Sequence, residues 1–183
     1  SAPLARYSHS LYKRLEARLL PLERQGRHPD QEPERLDGAT VLIVGMGRTG
    51  GAVYRILEAK GERPVGLDAD PEKVARHQAK GRKVLYGDAE DPELWERLDL
   101  TGLKAVVLAL PDLEAKVLAA RWLKERGFKG ILAATSFHLE EDPILEAAGV
   151  SLLFHPFREA GERLAEKVLE RLAIMGEVSH GRS

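Results

Sequence analysis

The segment from Val41 to Gly51 constrains the fold of this 183-residue chain more than any other stretch. Four apolar residues, Val41 to Val44, run directly into the sequence Gly45-Met46-Gly47-Arg48-Thr49-Gly50. This order predicts a short buried strand, a glycine-rich turn and then a helix. A second apolar stretch ends at Asp68, at the spacing where dinucleotide-binding folds place an acidic residue. We therefore predict a nucleotide site here.

Each glycine of the loop has a predicted role. Gly45 lets the chain turn sharply off the strand, Gly47 lets the backbone approach a pyrophosphate, and Gly50 lets the helix pack closely on the sheet. The N–H groups at the start of that helix bind phosphate. Arg48 reaches a phosphate or a partner subunit, or is simply a solvated loop residue.

The acidic residues after the second strand are expected to differ in role. Asp68 accepts hydrogen bonds from ribose hydroxyls, and its charge disfavours a 2′-phosphate. NAD-type or plain adenine nucleotides are therefore expected in preference to NADP. Asp70 stands directly before Pro71, which predicts chiefly a helix cap, with ligand contact a secondary role.

Short apolar segments and helical segments alternate regularly along the rest of the chain. The predicted strands are 40–44, 64–67, 83–86, 104–110, 130–134 and 150–154. The predicted helices are 49–60, 71–80, 92–98, 113–126, 143–148 and 156–175. Six strands with helical crossovers predict an α/β fold with a Rossmann-type doubly wound parallel sheet, occupying residues 39–175.

The segments that flank this unit have a different character. Residues 1–28 hold six Lys or Arg against two acids, and leucines recur at helical spacing between residues 11 and 22. This basic amphipathic helix is either an ordinary surface helix or one that lies beside an anionic membrane face. Polar residues up to 38 predict a linker, and residues 176–183 a disordered tail. The last helix carries an apolar stripe that is expected to pack either on the sheet of its own domain or on a partner subunit. The stripe comprises Leu164, Val168, Leu172 and Met175.

The composition and the residue spacings of the chain exclude several classes of function. The chain has no cysteine, and its net charge of −1 offers no basic field for nucleic acid. No apolar run approaches the roughly 20 residues that span a bilayer, and no signal peptide is evident. No tyrosine is followed four residues later by lysine, and the histidines lack metal-site spacing. We interpret His155 as a structural residue and expect no catalytic apparatus, so the chain is predicted not to be an enzyme.

Three motifs together resemble the TrkA-N, or RCK, domain. They are Val41 to Gly50, Asp68-Ala69-Asp70-Pro71 and Tyr86-Gly87-Asp88-Ala89. The resemblance implies that Gly45, Gly47, Arg48, Thr49 and Gly50 meet phosphates, that Asp68 meets the ribose, and that Gly87, Asp88 and Ala89 line the adenine end. Met46, Ala69 and Asp70 complete the predicted nucleotide-binding residues. The resemblance also implies NAD(H), AMP, ADP or ATP as the ligand.

The flanking segments most resemble those of the cytosolic domain of Kef-type cation/proton antiporters. The resemblance implies a homodimer at the inner, cytoplasmic face of the cell membrane that gates a membrane-embedded cation transporter domain, in the same full-length chain. Because Ser1 is not an initiator Met, we expect the chain to be a fragment. The chain departs from the family pattern at two places. Many relatives carry an arginine near the end of the fifth strand, where this chain has Ala133-Ala134-Thr135. Many also carry a polar Asn-type residue early in the fourth helix, near Glu114 to Val117 of this chain. The alternative functions are a stand-alone NAD-dependent oxidoreductase and a nucleotide-independent dimerisation module.

Overall fold

The structure is a computed structural model that describes residues 36–180, with side chains described through residue 175. The predicted basic helix, nearly all of the polar linker and the last three residues lie outside the described residues.

The described chain forms a six-stranded sheet in which all neighbouring strands are parallel. The strands are β1 (Val41–Val44), β2 (Pro64–Asp68), β3 (Val84–Tyr86), β4 (Ala105–Leu108), β5 (Ile131–Thr135) and β6 (Leu152–Phe154). Their order is β3-β2-β1-β4-β5-β6, which confirms the predicted doubly wound Rossmann-type sheet. The strand order reverses between β1 and β4, so a crevice is expected at the carboxyl ends of these two strands.

Helices connect the strands, and most begin where the Asp-Pro and Gly signals predict. They are α1 (Arg48–Ala59), α2 (Pro71–Gln78), α3 (Pro92–Arg97), α4 (Leu113–Glu125), α5 (Asp142–Ala148) and α6 (Pro156–His180). A short 3₁₀ helix, Leu139–Glu141, precedes α5. The side chain of Asp70 accepts hydrogen bonds from N–H groups of the first turn of α2, which confirms the predicted cap, and Asp91 caps α3 in the same way.

Two hydrophobic cores cover the two faces of the sheet. Because side chains alternate along a strand, Val41 and Ile43 face one core while Leu42 and Val44 face the other. The first core contains residues of α1 and α2, and the second, larger core contains residues of α3, α4 and α5. Trp95 is fully buried in the larger core. This layering fixes the carboxyl ends of the strands as one continuous edge.

The packed unit begins earlier than predicted. Leu36 is 4% exposed and belongs to the larger core, although its segment was predicted to be a polar linker up to residue 38. A single leucine among polar residues carries no periodic signal, so the sequence pattern places the boundary at 39, three residues too late.

The last helix departs from the prediction in two ways. It runs to His180 rather than ending at Met175. Its apolar stripe is exposed in the described chain, since Leu164, Val168, Leu172 and Met175 are each at least half exposed. The stripe therefore does not pack on the home sheet, and that alternative was wrong. Within residues 36–180 no helix combines the length and the hydropathy needed to cross a membrane.

Candidate functional site

The three glycines of the loop meet different steric constraints. Gly45 has φ +92°, and an added Cβ there would lie 2.6 Å from the Ala109 carbonyl oxygen. A Cβ at Gly50 would lie 1.8 Å from the Gly45 carbonyl oxygen. A Cβ at Gly47 would have no atom within 4 Å. The protein itself therefore requires glycine at 45 and 50, whereas at Gly47 it leaves open space beside the backbone.

The helix that starts at this loop lacks the cap that its neighbours have. Asp70, Asp91 and Asp112 each accept hydrogen bonds from first-turn N–H groups of α2, α3 and α4. The N-cap of α1 is Gly47, which supplies no side-chain acceptor, and the first turn of α1 contains no acid. The positive end of its dipole and its leading N–H groups are thus left for an external anion. Arg48 and Thr49 form that first turn, and Arg48 is exposed.

Asp68 lies at the carboxyl end of β2 and contacts the loop directly. Its Oδ2 accepts a hydrogen bond from the Met46 N–H at 2.7 Å, and its Oδ1 accepts one from the Asp70 N–H at 2.9 Å. Lys73 Nζ lies 3.3 Å from Oδ2 and forms an ion pair with it. Asp68 is only 8% exposed. The predicted phosphate and ribose residues are therefore adjacent, and the carboxylate also braces the loop.

The two residues after Asp68 have different surroundings. Asp70 Oδ1 accepts hydrogen bonds from the N–H groups of Glu72 and Lys73, so its cap role is confirmed. Ala69 is exposed between the two aspartates. Their contacts with a nucleotide remain predictions.

The Gly87-Asp88-Ala89 segment forms a turn after β3, next to Asp68. The Gly87 N–H donates to the Asp68 backbone carbonyl at 3.1 Å, and both Gly87 and Ala89 are buried. Trp95 Nε1 donates to the Ala89 carbonyl at 2.8 Å. Asp88 is exposed and its Oδ1 accepts from the Glu90 N–H at 2.9 Å. The structure places this segment at the carboxyl ends of the strands, beside Asp68. Its contact with adenine remains a prediction.

His77, which sequence reasoning did not single out, also holds the glycine loop. Its Nε2 lies 2.8 Å from the Met46 carbonyl oxygen, and its Nδ1 lies 3.0 Å from an Arg82 guanidinium nitrogen. Since a carbonyl only accepts and a guanidinium only donates, the pattern assigns the proton to Nε2 and a lone pair to Nδ1. Together with Asp68, His77 clamps both polar groups of the Met46 backbone.

A cavity of about 320 Å³ opens beside this clamp, between the loop and α2. Four of its seven lining residues are lysine or arginine, and the lining consists of Met46, Gly47, Arg48, Lys73, Arg76, His77 and Lys80. Lys73, Arg76 and His77 share one face of α2, because they are three and four residues apart. This spacing of basic residues is the one feature of the sequence that could have indicated the cavity, but a basic helix face is more commonly a solvated surface. We refer to this cavity as the basic pocket.

A buried lysine stands in the segment where the chain departs from the family pattern. Lys116 is fully buried, and its Nζ donates to the Thr135 carbonyl at 2.8 Å and to Glu141 Oε2 at 3.1 Å. The same ammonium lies 5.0 Å from the centroid of the Phe137 ring. This group joins the start of α4 to the end of β5.

His155 belongs to a neighbouring polar cluster. Its Nε2 lies 2.9 Å from Asp142 Oδ2, and its Nδ1 lies 2.9 Å from an Arg158 guanidinium nitrogen. A hydrogen bond from the Ser136 hydroxyl, followed by the one from His155, lowers the pKa of Asp142. Both ring nitrogens have partners, in agreement with the interpretation of His155 as a structural residue.

Comparison with known proteins identifies the family of this chain. The family model of the TrkA-N domain matches residues 41–156. Ktr system potassium uptake protein C of Bacillus subtilis is 26% identical over 130 residues, which are 69% of this chain and 58% of that protein. Ktr system potassium uptake protein A of Vibrio alginolyticus is 25% identical over 133 residues, 72% of this chain and 60% of that protein. The chain thus matches about three fifths of the length of each of these curated relatives.

Solved structures share the fold at low identity. The NAD(P)-binding domain of an exopolyphosphatase-related protein from Archaeoglobus fulgidus superposes with a TM-score of 0.66 at 20% identity, covering 72% of this chain and 98% of that chain. A Kef C-terminal domain from Shewanella denitrificans, in its AMP-bound form, gives a TM-score of 0.61 at 23% identity over 72% of this chain and 80% of that chain. These similarities establish the architecture.

Proposed function

Since the chain belongs to the TrkA-N domain family, we propose that it is a nucleotide-sensing regulatory domain that gates a potassium or other cation transporter. The observation that carries the proposal is the pairing of an uncapped α1 N-terminus with the open space at Gly47 and with Asp68 alongside. A helix start without its own acceptor, at a crevice of a doubly wound sheet, suits a bound phosphate.

In this proposal the ligand is NAD(H) or AMP, ADP or ATP. Its phosphates accept hydrogen bonds from the N–H groups of Gly47, Arg48 and Thr49, and its ribose hydroxyls donate to Asp68. Asp68 already accepts hydrogen bonds from two backbone N–H groups and lies against the Lys73 ammonium, so a ribose hydroxyl would share the carboxylate oxygens with Lys73. The adenine lies toward the turn that contains Gly87.

The domain regulates rather than catalyses in this proposal. The curated relatives reported above are potassium uptake proteins. A nucleotide gates a partner only if it binds one arrangement of the protein better than another. The transporter domain that responds is embedded in the membrane and belongs to the same full-length chain, and this domain lies at its cytoplasmic face.

A series of contacts that leads from the loop toward α6 supports such a response. Ala109 and Leu110 pack against Gly45, and Thr135 Oγ1 donates to the Leu110 carbonyl at 3.3 Å. Beyond Thr135, the ring of Phe137 lies 5.7 Å from that of Phe157, at the start of α6. Backbone and side-chain contacts therefore lead from the nucleotide loop, through the end of β5, to the start of the last helix.

The exposed stripe of α6 is the proposed dimer contact. Four apolar residues at helical spacing, each at least half exposed, leave a hydrophobic face that a monomer seldom presents to water. A second copy of the helix covers this face in the proposed homodimer.

Nucleotide binding is tested by thermal unfolding with NAD⁺, NADH, AMP, ADP and ATP. A ligand at about 100 times its Kd adds about 2.7 kcal/mol to the free energy of unfolding, and about 1 kcal/mol raises the Tm of a chain of this size by about 3 °C. Asp68→Ala is expected to abolish the rise. The matched control is Asp99→Ala, which removes an aspartate that binds the Thr101 N–H at the opposite edge of the sheet. A rise that persists in Asp68→Ala contradicts the site, and turnover of NADH with a carbonyl substrate contradicts the regulatory role.

The dimer is tested by sedimentation of the Val168→Asp variant. Val168 lies at the centre of the stripe and is 50% exposed, so a charge there is expected to convert the dimer to a monomer with little change in the stability of the monomer. Ala173→Asp, which places the same charge off the stripe, should leave the dimer intact. A dimer that survives Val168→Asp rules out this face as the contact.

A further inference from the structure

Met46 is anchored through its side chain and through both polar groups of its backbone. The side chain is 1% exposed, and its Sδ fills the space beside Gly66, where an added Cβ would lie 2.6 Å away. The Met46 N–H donates to Asp68 Oδ2 at 2.7 Å, and the Met46 carbonyl oxygen lies 2.8 Å from His77 Nε2. The contact with His77 therefore holds the peptide group that leads directly into Gly47.

This contact sets the direction of the Gly47 N–H. The peptide group between Met46 and Gly47 is planar and trans, so its carbonyl and its N–H point in opposite directions. His77 stands on α2 and holds the carbonyl oxygen toward that helix. The Gly47 N–H consequently points away from α2 and toward the crevice at the carboxyl ends of the strands, where the phosphate is proposed to lie.

Two further contacts hold the His77 ring in place. Its Nδ1 lies 3.0 Å from a guanidinium nitrogen of Arg82, and that guanidinium lies over the ring of Tyr54. Its Cε1 would lie 3.3 Å from a Cβ added at Gly51, so the ring lies against α1 at a position without a side chain. An imidazole with a lone pair on Nδ1 has no charge, so its influence on a ligand comes from geometry.

We propose that His77 is a positioning residue of the nucleotide site, which keeps the peptide group between Met46 and Gly47 in the orientation that presents the Gly47 N–H to the 5′-phosphate. This inference rests on the proposed function and adds to it a residue that acts through the loop. Without the hydrogen bond from His77 this peptide group gains freedom, and ordering it again on binding lowers the affinity.

The substitution His77→Ala tests the inference, with Gln78→Ala as the matched control. Gln78 follows His77 on α2, and its Nε2 donates to the Val84 carbonyl at the same distance of 2.8 Å, away from the loop. AMP is the probe, because every proposed ligand contains it. In isothermal titration calorimetry His77→Ala is expected to weaken AMP binding about tenfold, while Gln78→Ala leaves it unchanged. Each variant loses one hydrogen bond to the backbone, so the urea midpoints should fall by comparable amounts.

The variant His77→Gln tests the hydrogen bond itself, because the glutamine amide supplies both a donor and an acceptor. It should recover most of the affinity for AMP. Adenosine, which has no phosphate, should bind the unmodified protein and His77→Ala equally weakly.

Four results would overturn the positioning role while the nucleotide site stands. They are AMP binding to His77→Ala at full affinity, an equal loss in Gln78→Ala, no recovery in His77→Gln, and a loss for adenosine as large as that for AMP. If the unmodified protein binds none of the nucleotides used in the thermal series, the proposed function itself fails, and the inference fails with it.

Discussion

Gly50→Ala is expected to lower the free energy of unfolding by about 3 kcal/mol or more, the high end of overpacking in a well-packed site. The new Cβ would lie 1.8 Å from the Gly45 carbonyl oxygen and 3.3 Å from the Ile43 side chain. No pair of nonbonded atoms reaches the first of these distances, so α1 must shift away from β1 or the loop must rearrange. Urea unfolding, read as a change in midpoint at constant m, measures the loss.

Gly47→Ala is the matched control, and it separates folding from binding. Gly47 has φ −72°, which suits alanine, and its Cβ would meet no atom within 4 Å. We expect a change in the free energy of unfolding of no more than about 1 kcal/mol. The added methyl group lies where the backbone would approach a phosphate, so the thermal response to nucleotides should be lost. A Gly47→Ala protein that still responds fully to nucleotides would show that the phosphate lies elsewhere. A Gly50→Ala protein of normal stability would show that the loop rearranges without a cost in free energy.

The sequence predicts the layout of the fold because its signals are local. An apolar run before Gly45, an Asp-Pro pair before each of α2 and α3, and a glycine after each of several helices all act within one turn of chain. Alternation of such segments with short connections leaves few topologies open. The position of Asp68 beside the glycine loop follows from that topology, since β1 and β2 are neighbours whose carboxyl ends coincide.

The parts that escaped prediction depend on contacts between distant segments. His77 reaches Met46 across 31 residues of sequence, and nothing in the pattern around His77 distinguishes it from a surface histidine. Lys116 is fully buried within a helix whose charged positions otherwise face solvent. The stripe of α6 has the same spacing whether a sheet or a second copy covers it. Periodicity indicates that a face is apolar and does not identify its partner.

The ion pair between Lys116 and Glu141 should be among the most costly side-chain contacts to break. The ammonium is fully buried and Glu141 is 12% exposed, so Glu141→Ala leaves a buried charge whose one remaining acceptor among residues 36–180 is the Thr135 carbonyl. The expected loss in the free energy of unfolding is about 3 kcal/mol. By contrast, Glu166→Ala should cost no more than about 0.5 kcal/mol, although its pair with Arg163 is shorter at 2.6 Å, because both of those side chains are more than half exposed.

Lys116→Met separates the cost of an unpaired charge from the cost of lost packing. Methionine has a similar length and no charge, so in the Lys116→Met background Glu141→Ala should cost only about 1 kcal/mol, chiefly from the Phe137 N–H that Glu141 also accepts. The double-mutant cycle, measured by urea unfolding, should therefore give a coupling of about 2 kcal/mol. A coupling near zero would mean that Lys116 does not depend on Glu141, and that the link between α4 and the end of β5 rests on apolar packing alone. A large coupling makes this buried charge the fixed point between β5 and the segment that leads to α6, where the proposed response to nucleotide must pass.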